Sequence, residues 1–124
     1  MWFVIVGLII GLVVGHYTPI DIPIELARYT AVGILGIFDS ILGAIRADLQ
    51  KKYSTGIFLS GLVFNMVVAM LITYLGDKLS LDLYMAVLVV FTLRIFGNIA
   101  TIRYAFLSRF IGKKRAQEEI KKEQ

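Results

Sequence analysis

Residues 26–47 read LARYTAVGILGIFDSILGAIRA. At ~1.5 Å of rise per residue, a helix over Leu26 to Ala47 is about 33 Å long, the thickness of a bilayer's hydrocarbon core. The run is too long for a strand, and backbone polar groups in lipid must be satisfied within the segment, so a helix follows. Breaks precede it at Thr18-Pro19 and Ile22-Pro23. Three further apolar runs flank it. Trp2 to Tyr17 comes before, and Thr55 to Leu75 and Leu83 to Leu107 come after. None alternates with the period of two that barrel strands require. The expected fold class is therefore all-α: a polytopic membrane protein of about four transmembrane helices in a small bundle.

Composition supports a lipid solvent. Of 124 residues, 58% are hydrophobic and 18% charged, and the mean hydropathy is +0.80. A water-facing globule this short buries too little surface to hide so much apolar area. The first run lacks a basic leader and a small-residue cleavage pattern, so it reads as a retained span with Trp2 and Tyr17 as interfacial anchors. The chain divides into a membrane domain, residues 1–107, and a charged tail, residues 108–124. Gly76-Asp77-Lys78 is the expected end of the third span.

The lysine and arginine distribution sets an expected orientation. Arg46, Lys51 and Lys52 lie between the second and third runs, and Arg109, Lys113, Lys114, Arg115, Lys121 and Lys122 lie in the tail. These positive segments share one side if both termini are cytoplasmic, which an even number of spans satisfies. Within the tail, Arg109, Lys113, Lys114 and Arg115 are candidate contacts to anionic lipid; a pure topology signal is the other reading. The net charge of +4 is not by itself a nucleic-acid signal, and no nucleic-acid partner is expected.

The chemistry-bearing residues are few. There is no cysteine and one histidine, which excludes a disulfide framework, a thiolate metal site and a cysteine nucleophile. No phosphate loop and no serine–histidine–acid set is present, so neither a cofactor nor enzymatic activity is expected. What stands out is depth. Asp39 lies about thirteen residues from the outer end of its run, Asn65 about ten from the inner end, and Arg94 about eleven from the outer end. All three fall near the bilayer midplane, where a charge costs ~2.5–3.5 kcal/mol on insertion scales. An Asp39–Arg94 pair, with Asn65 taking up spare donors or acceptors, is the economical arrangement. Asp39, Gly43 and Arg46 share one helix face; Arg94, Asn98 and Thr101 share another; Gly61, Asn65, Ala69 and Thr73 repeat every four residues. The candidate polar cluster is Asp39, Asn65, Arg94 and Asn98, read either as helix-joining glue or as a binding site. Gly97-Asn98 could loosen the fourth helix beneath it.

Gly7, Gly11 and Gly15 form two overlapping G-x-x-x-G steps in the first run. They are a candidate helix-packing face, for internal packing or for contact with another chain.

Taken together, Asp39-Ser40-Ile41-Leu42-Gly43-Ala44-Ile45-Arg46-Ala47, Phe58-Leu59-Ser60-Gly61, Phe64-Asn65, Leu75-Gly76, Asp82-Leu83-Tyr84, Arg94-Ile95-Phe96, Asn98 and Ile102-Arg103 resemble the bacterial small basic protein family, a family of unknown function. Leu62 and Tyr104 stand where the family pattern has an aromatic and a second basic residue. The resemblance implies a four-span protein of the plasma membrane of Gram-positive and related bacteria. It also implies a gene neighbourhood of cell division and envelope assembly, and it supplies no reaction or ligand. The functional expectation is a non-enzymatic membrane component that forms a homo-oligomer or docks a partner membrane protein. The rival is a small-molecule or ion-binding carrier subunit with a midplane polar site.

Overall fold

The computed structural model describes residues 2–123; Met1 and Gln124, the outermost residues of the two expected regions, lie outside the described residues. Four α-helices account for nearly all of it: α1 (Trp2–Tyr17), α2 (Ile24–Leu49), α3 (Thr55–Leu79) and α4 (Leu83–Glu123). The expected all-α class is the one observed. α2 begins directly after Pro23, whose φ of −55° suits a helix entry, and Glu25 sits in its first turn where the dipole favours an acid. α4 runs unbroken for 41 residues, about 61 Å at ~1.5 Å per residue. Gly97-Asn98 therefore does not interrupt it, and the charged tail continues its last span as the same helix.

Both tight turns are closed by backbone bonds around a left-handed residue that is not glycine. After α2, Lys51 has φ 57°, Lys51 N–H donates to Asp48 O at 2.9 Å and Lys52 N–H to Ala47 O at 2.8 Å. After α3, Ser80 has φ 54° and Leu81 N–H donates to Gly76 O at 2.9 Å. These are Schellman-type endings, which satisfy the last carbonyls of each helix. The second shows that Gly76 does not end α3, contrary to the expectation from Gly76-Asp77-Lys78. The helix carries on to Leu79, and Gly76 is instead the floor on which the turn folds back. A Cβ there would lie 2.8 Å from Leu81 O and 2.9 Å from Leu83 Cβ.

α2, α3 and α4 pack against one another, and α1 has no comparable packing. The core is small: Val32, Ala69, Val87 and Phe91, with Leu35, Tyr84 and Leu88 against it. Phe91 lies flat enough on α2 that a Cβ at Gly36 would sit 3.3 Å from its Cζ. Ala69, Thr73 and Gly76 are the buried face of α3; Ala69 and Thr73 belong to the four-residue repeat, whose other members, Gly61 and Asn65, are half-buried. Thr73 spends its hydroxyl on its own helix, donating to Ala69 O at 2.9 Å. Large apolar side chains such as Ile57, Phe64, Leu93 and Phe96 point outward. Water would not tolerate that surface, but lipid does. Helix association in lipid then rests on close backbone approach and polar contacts, which is what glycine and alanine at the seams allow.

Among the described residues three helices, α2, α3 and α4, are long and apolar enough to cross a membrane. α1 has 16 residues, about 24 Å, shorter than a ~30 Å hydrocarbon core. No side chain or foreign backbone lies within 4 Å of a Cβ placed at Gly7, Gly11 or Gly15. Among the described residues the glycine face of α1 thus packs on nothing, which speaks against the internal-packing reading of the stripe.

Gly76→Ala is expected to destabilise the folded protein by about 1–3 kcal/mol, because the obstructing atom is a backbone carbonyl that cannot rotate away. Gly7→Ala, in open space, is expected to change stability by less than about 0.5 kcal/mol. Detergent thermal-melt series on the two variants compare them directly.

An intramembrane charge cluster

Midway along α2, Asp39 is the most deeply buried ionisable group of the bundle, with a side chain fully shielded from solvent. Helical periodicity places it on the face of Val32 and Gly36, so it meets α4. There Arg94 Nη2 stands 3.0 Å from Asp39 Oδ2. The approach is close enough for an ion pair, yet its angle is not that of a hydrogen bond: Oδ2 is charge-compensated but accepts no bond. Asp39 Oδ1 accepts a long bond, 3.4 Å, from Asn98 Nδ2. The Asn98 amide is in turn held from behind, its Oδ1 accepting from Arg46 Nη1 at 3.3 Å. This order, guanidinium to amide oxygen and amide nitrogen to carboxylate, is the only one that matches donors to acceptors.

Of the four residues expected in the cluster, three meet as a connected group: Asp39, Arg94 and Asn98. Asn65 does not take the role assigned to it. It lies beside Arg94 in the walls of the neighbouring clefts, and Asn98 supplies the donor to Asp39 instead. The reason is helix rotation: Asn98 is one turn from Arg94 on the same face of α4 and faces α2, whereas Asn65 approaches from α3. Arg46, outside the expected cluster, joins it through its bond to Asn98. The i, i+7 spacing of Asp39 and Arg46 was the signal that could have shown this. The tail residues Arg109, Lys113, Lys114 and Arg115 lie on the exposed extension of α4.

The second polar assembly carried no local signal. Asp77 at the end of α3 accepts from Arg28 Nη1 at 3.0 Å and from Tyr29 Oη at 2.9 Å. Arg28 also stands over the Tyr84 ring of α4, 5.7 Å from its centre. The clamp ties all three helices at the end opposite the α2–α3 turn. Its members are solvent-exposed to a large degree, so water screens each contact.

Space surrounds the ion pair. A cleft of ≈ 240 Å³ between α2 and α3 is lined by Asp39, Ser40, Lys52, Ser54, Asn65 and Arg94, among others. A second, of ≈ 430 Å³, opens between α2 and α4 at Arg46, Gln50, Arg94 and Asn98. A third, of ≈ 230 Å³, is an apolar groove between α3 and α4 along Phe64, Val68, Ile72, Val90 and Phe91 that ends at Asn65 and Arg94. Arg94 walls all three, and its side chain is 50% exposed although it is ion-paired. Among the described residues no group of three histidine, cysteine or acidic side chains gathers as a metal site.

Three apolar, membrane-length helices around a charged interior define a polytopic membrane protein with a polar centre. The chain belongs to the family described as "Protein of unknown function (DUF1290)", whose pattern matches residues 22–107. It is similar to the "Small basic protein" of Bacillus subtilis (strain 168), 36% identical over 120 residues that cover 97% of this chain and 99% of that one. It is also similar to an uncharacterised protein of Mycobacterium tuberculosis (strain ATCC 25618 / H37Rv), 35% identical over 101 residues, or 80% and 84% of the two chains. No solved structure matches. The family resemblance read from the α2 segment and the Arg94–Asn98 region is thereby borne out.

Asp39→Ala and Arg94→Ala are each expected to lower stability by about 2 kcal/mol, since each leaves its partner charge uncompensated. The reversed pair, Asp39→Arg with Arg94→Asp, is expected not to restore it. An arginine at 39 would meet the Asn98 amide hydrogens and stand next to the Arg46 charge behind them. Protein abundance in native membranes across the four variants reads this out.

Proposed function

We propose that the protein is a non-enzymatic membrane module that binds a small molecule or ion at the clefts around Arg94. One observation carries this reading: the half-exposed Arg94 side chain walls three clefts while its ion partner is fully buried. Polar glue between helices needs closure, not open volume. Interhelical polar contacts in membranes are worth only ~0.6–2 kcal/mol, a weak return for placing an arginine at this depth. A closed pair in a dry, fully packed bundle would have argued against a site. The pair is closed, but the bundle beside it is not filled. The lack of any cysteine and of a serine–histidine–acid set in the sequence supports binding over catalysis.

The orientation follows the positive-inside bias. The α2–α3 turn with Lys51 and Lys52 and the C-terminal end of α4 face the cytoplasm of a bacterial plasma membrane. The N-terminus faces it too if α1 also crosses. The clefts at Lys52 and Arg46 then open toward the cytoplasm.

Because the chain has no cysteine, a single introduced thiol tests the site. Ser40→Cys in native membranes is expected to react with a water-soluble maleimide. If Ser40→Cys stays unlabelled while Ser54→Cys on the turn labels fully, the site is not open to water and the proposal fails.

A second reading is favoured by α1. Its glycine face has no neighbour within 4 Å, so docking of α1 on a second copy or on a partner membrane protein is an added role. A place in cell division or envelope assembly rests on the family resemblance alone. Gly11→Cys in native membranes is expected to yield a cross-linked species with a short thiol cross-linker. Recovery of the monomer alone would count against docking through this face.

A further inference from the structure

Resting on the reading of the Arg94 clefts as a ligand site, we propose that the ligand is an anionic amphiphile. A phosphate-type headgroup sits in the α2–α3 cleft, held by Arg94 and at the rim by Lys52, and an apolar chain lies in the α3–α4 groove. The charge balance points there first. The ionised side chains lining the two polar clefts are Asp39, Arg46, Lys52 and Arg94, one carboxylate against three cations. Asp39 is already engaged by Arg94 and Asn98. Among the described residues Arg46 has only the neutral Asn98 amide as a partner, and Lys52 has no ion pair. A metal or organic cation would enter a field of unneutralised positive charge. An anion would neutralise it, at a depth where Coulomb attraction is far less screened than in water.

The donor geometry suits a phosphate. A guanidinium presents planar paired N–H groups that match two phosphate oxygens, and a lysine adds a point charge at the rim. The α2–α3 cleft is also walled by Ser54 and Ile57 at the start of α3. Ser54 makes no side-chain capping bond, so the first N–H groups of that helix keep their donors free.

The second half of the ligand comes from the third cleft. Asn65 and Arg94 belong both to the polar α2–α3 cleft and to the apolar α3–α4 groove. The two therefore meet at that pair. From Asn65 to Ile72 the groove follows α3 for about 10 Å, and its walls are Phe64, Val68, Ile72, Ala86 and Val90. A headgroup at Arg94 would lead its chain straight into that groove.

The test is native mass spectrometry of the full-length protein released from nanodiscs of phosphatidylglycerol and phosphatidylcholine, with inorganic phosphate in a separate arm. The wild-type protein is expected to retain phosphatidylglycerol in preference to phosphatidylcholine. Lys52→Gln, on an exposed turn where folding is not at risk, is expected to weaken retention about threefold to fivefold. Arg94→Gln should weaken it by about tenfold or more, and Arg94→Lys by less. Lys51→Gln removes the same charge from the same turn outside the cleft and is expected to behave as wild type. If inorganic phosphate binds in an Arg94-dependent way and the lipid does not, the amphiphile is overturned and a free phosphate takes its place. Equal retention of both lipids, or equal loss in Lys51→Gln and Lys52→Gln, overturns the anion site. Labelling of Ser40→Cys together with either of those last results leaves the ligand-site reading standing and removes this one alone.

Discussion

Asp39 carries a carboxylate with no access to solvent at the centre of a helix that lies in lipid. A group in that position must be compensated from within the protein. Its compensation comes from α4: Arg94 for charge and Asn98 for a hydrogen bond. Those two partners sit four residues apart, on one face, so the requirement fixes which face of α4 turns toward α2. One turn away, Phe91 closes on Gly36, and the apolar core of Val32, Val87 and Ala69 follows. The register of the α2–α4 seam is in this sense an electrostatic consequence, with dispersion filling in around it.

The two ends of the bundle differ in kind. Toward the α3–α4 turn the helices touch: Thr73 and Gly76 are buried, and Arg28, Tyr29 and Asp77 clamp the rim. Toward the α2–α3 turn they leave clefts, and among the described residues none of α2 beyond Ala44 or of α4 beyond Asn98 is buried. The basic residues gather at this looser end, which puts positive charge next to open volume. The tight end is made of small side chains and neutralised pairs. The loose end is made of cations with few acids to meet them, and mutual repulsion gives such groups no reason to pack.

α1 stands outside this arrangement. Its glycines would let another backbone approach closely, but none of the other three helices does so. At 16 residues it is also the helix least able to cross a bilayer by length alone. Its large apolar side chains, including Phe3, Ile9, Leu12 and Val14, are exposed, so lipid or another protein must cover them.

Much was legible in the amino-acid sequence. That α2, α3 and α4 are helices of membrane length followed from apolar run length, which is a local property; α3 and α4 run past their apolar runs, to Leu79 and Glu123. The interior faces followed from the 3.6-residue period: Ala69 and Thr73 on α3, Asp39 on α2, Asn98 on α4. The shared depth of Asp39 and Arg94 followed from counting residues along helices of constant rise, and the two meet as that count implied. Helix rotation about its axis and the choice of neighbour are set by contacts between segments 50 or so residues apart, and no local pattern encodes them. Only the tertiary structure therefore decided that Asn98 rather than Asn65 reaches the carboxylate, that Arg46 is drawn in behind it, that Asp77 gathers Arg28 and Tyr29, and that the glycine face of α1 is left without a partner inside the chain.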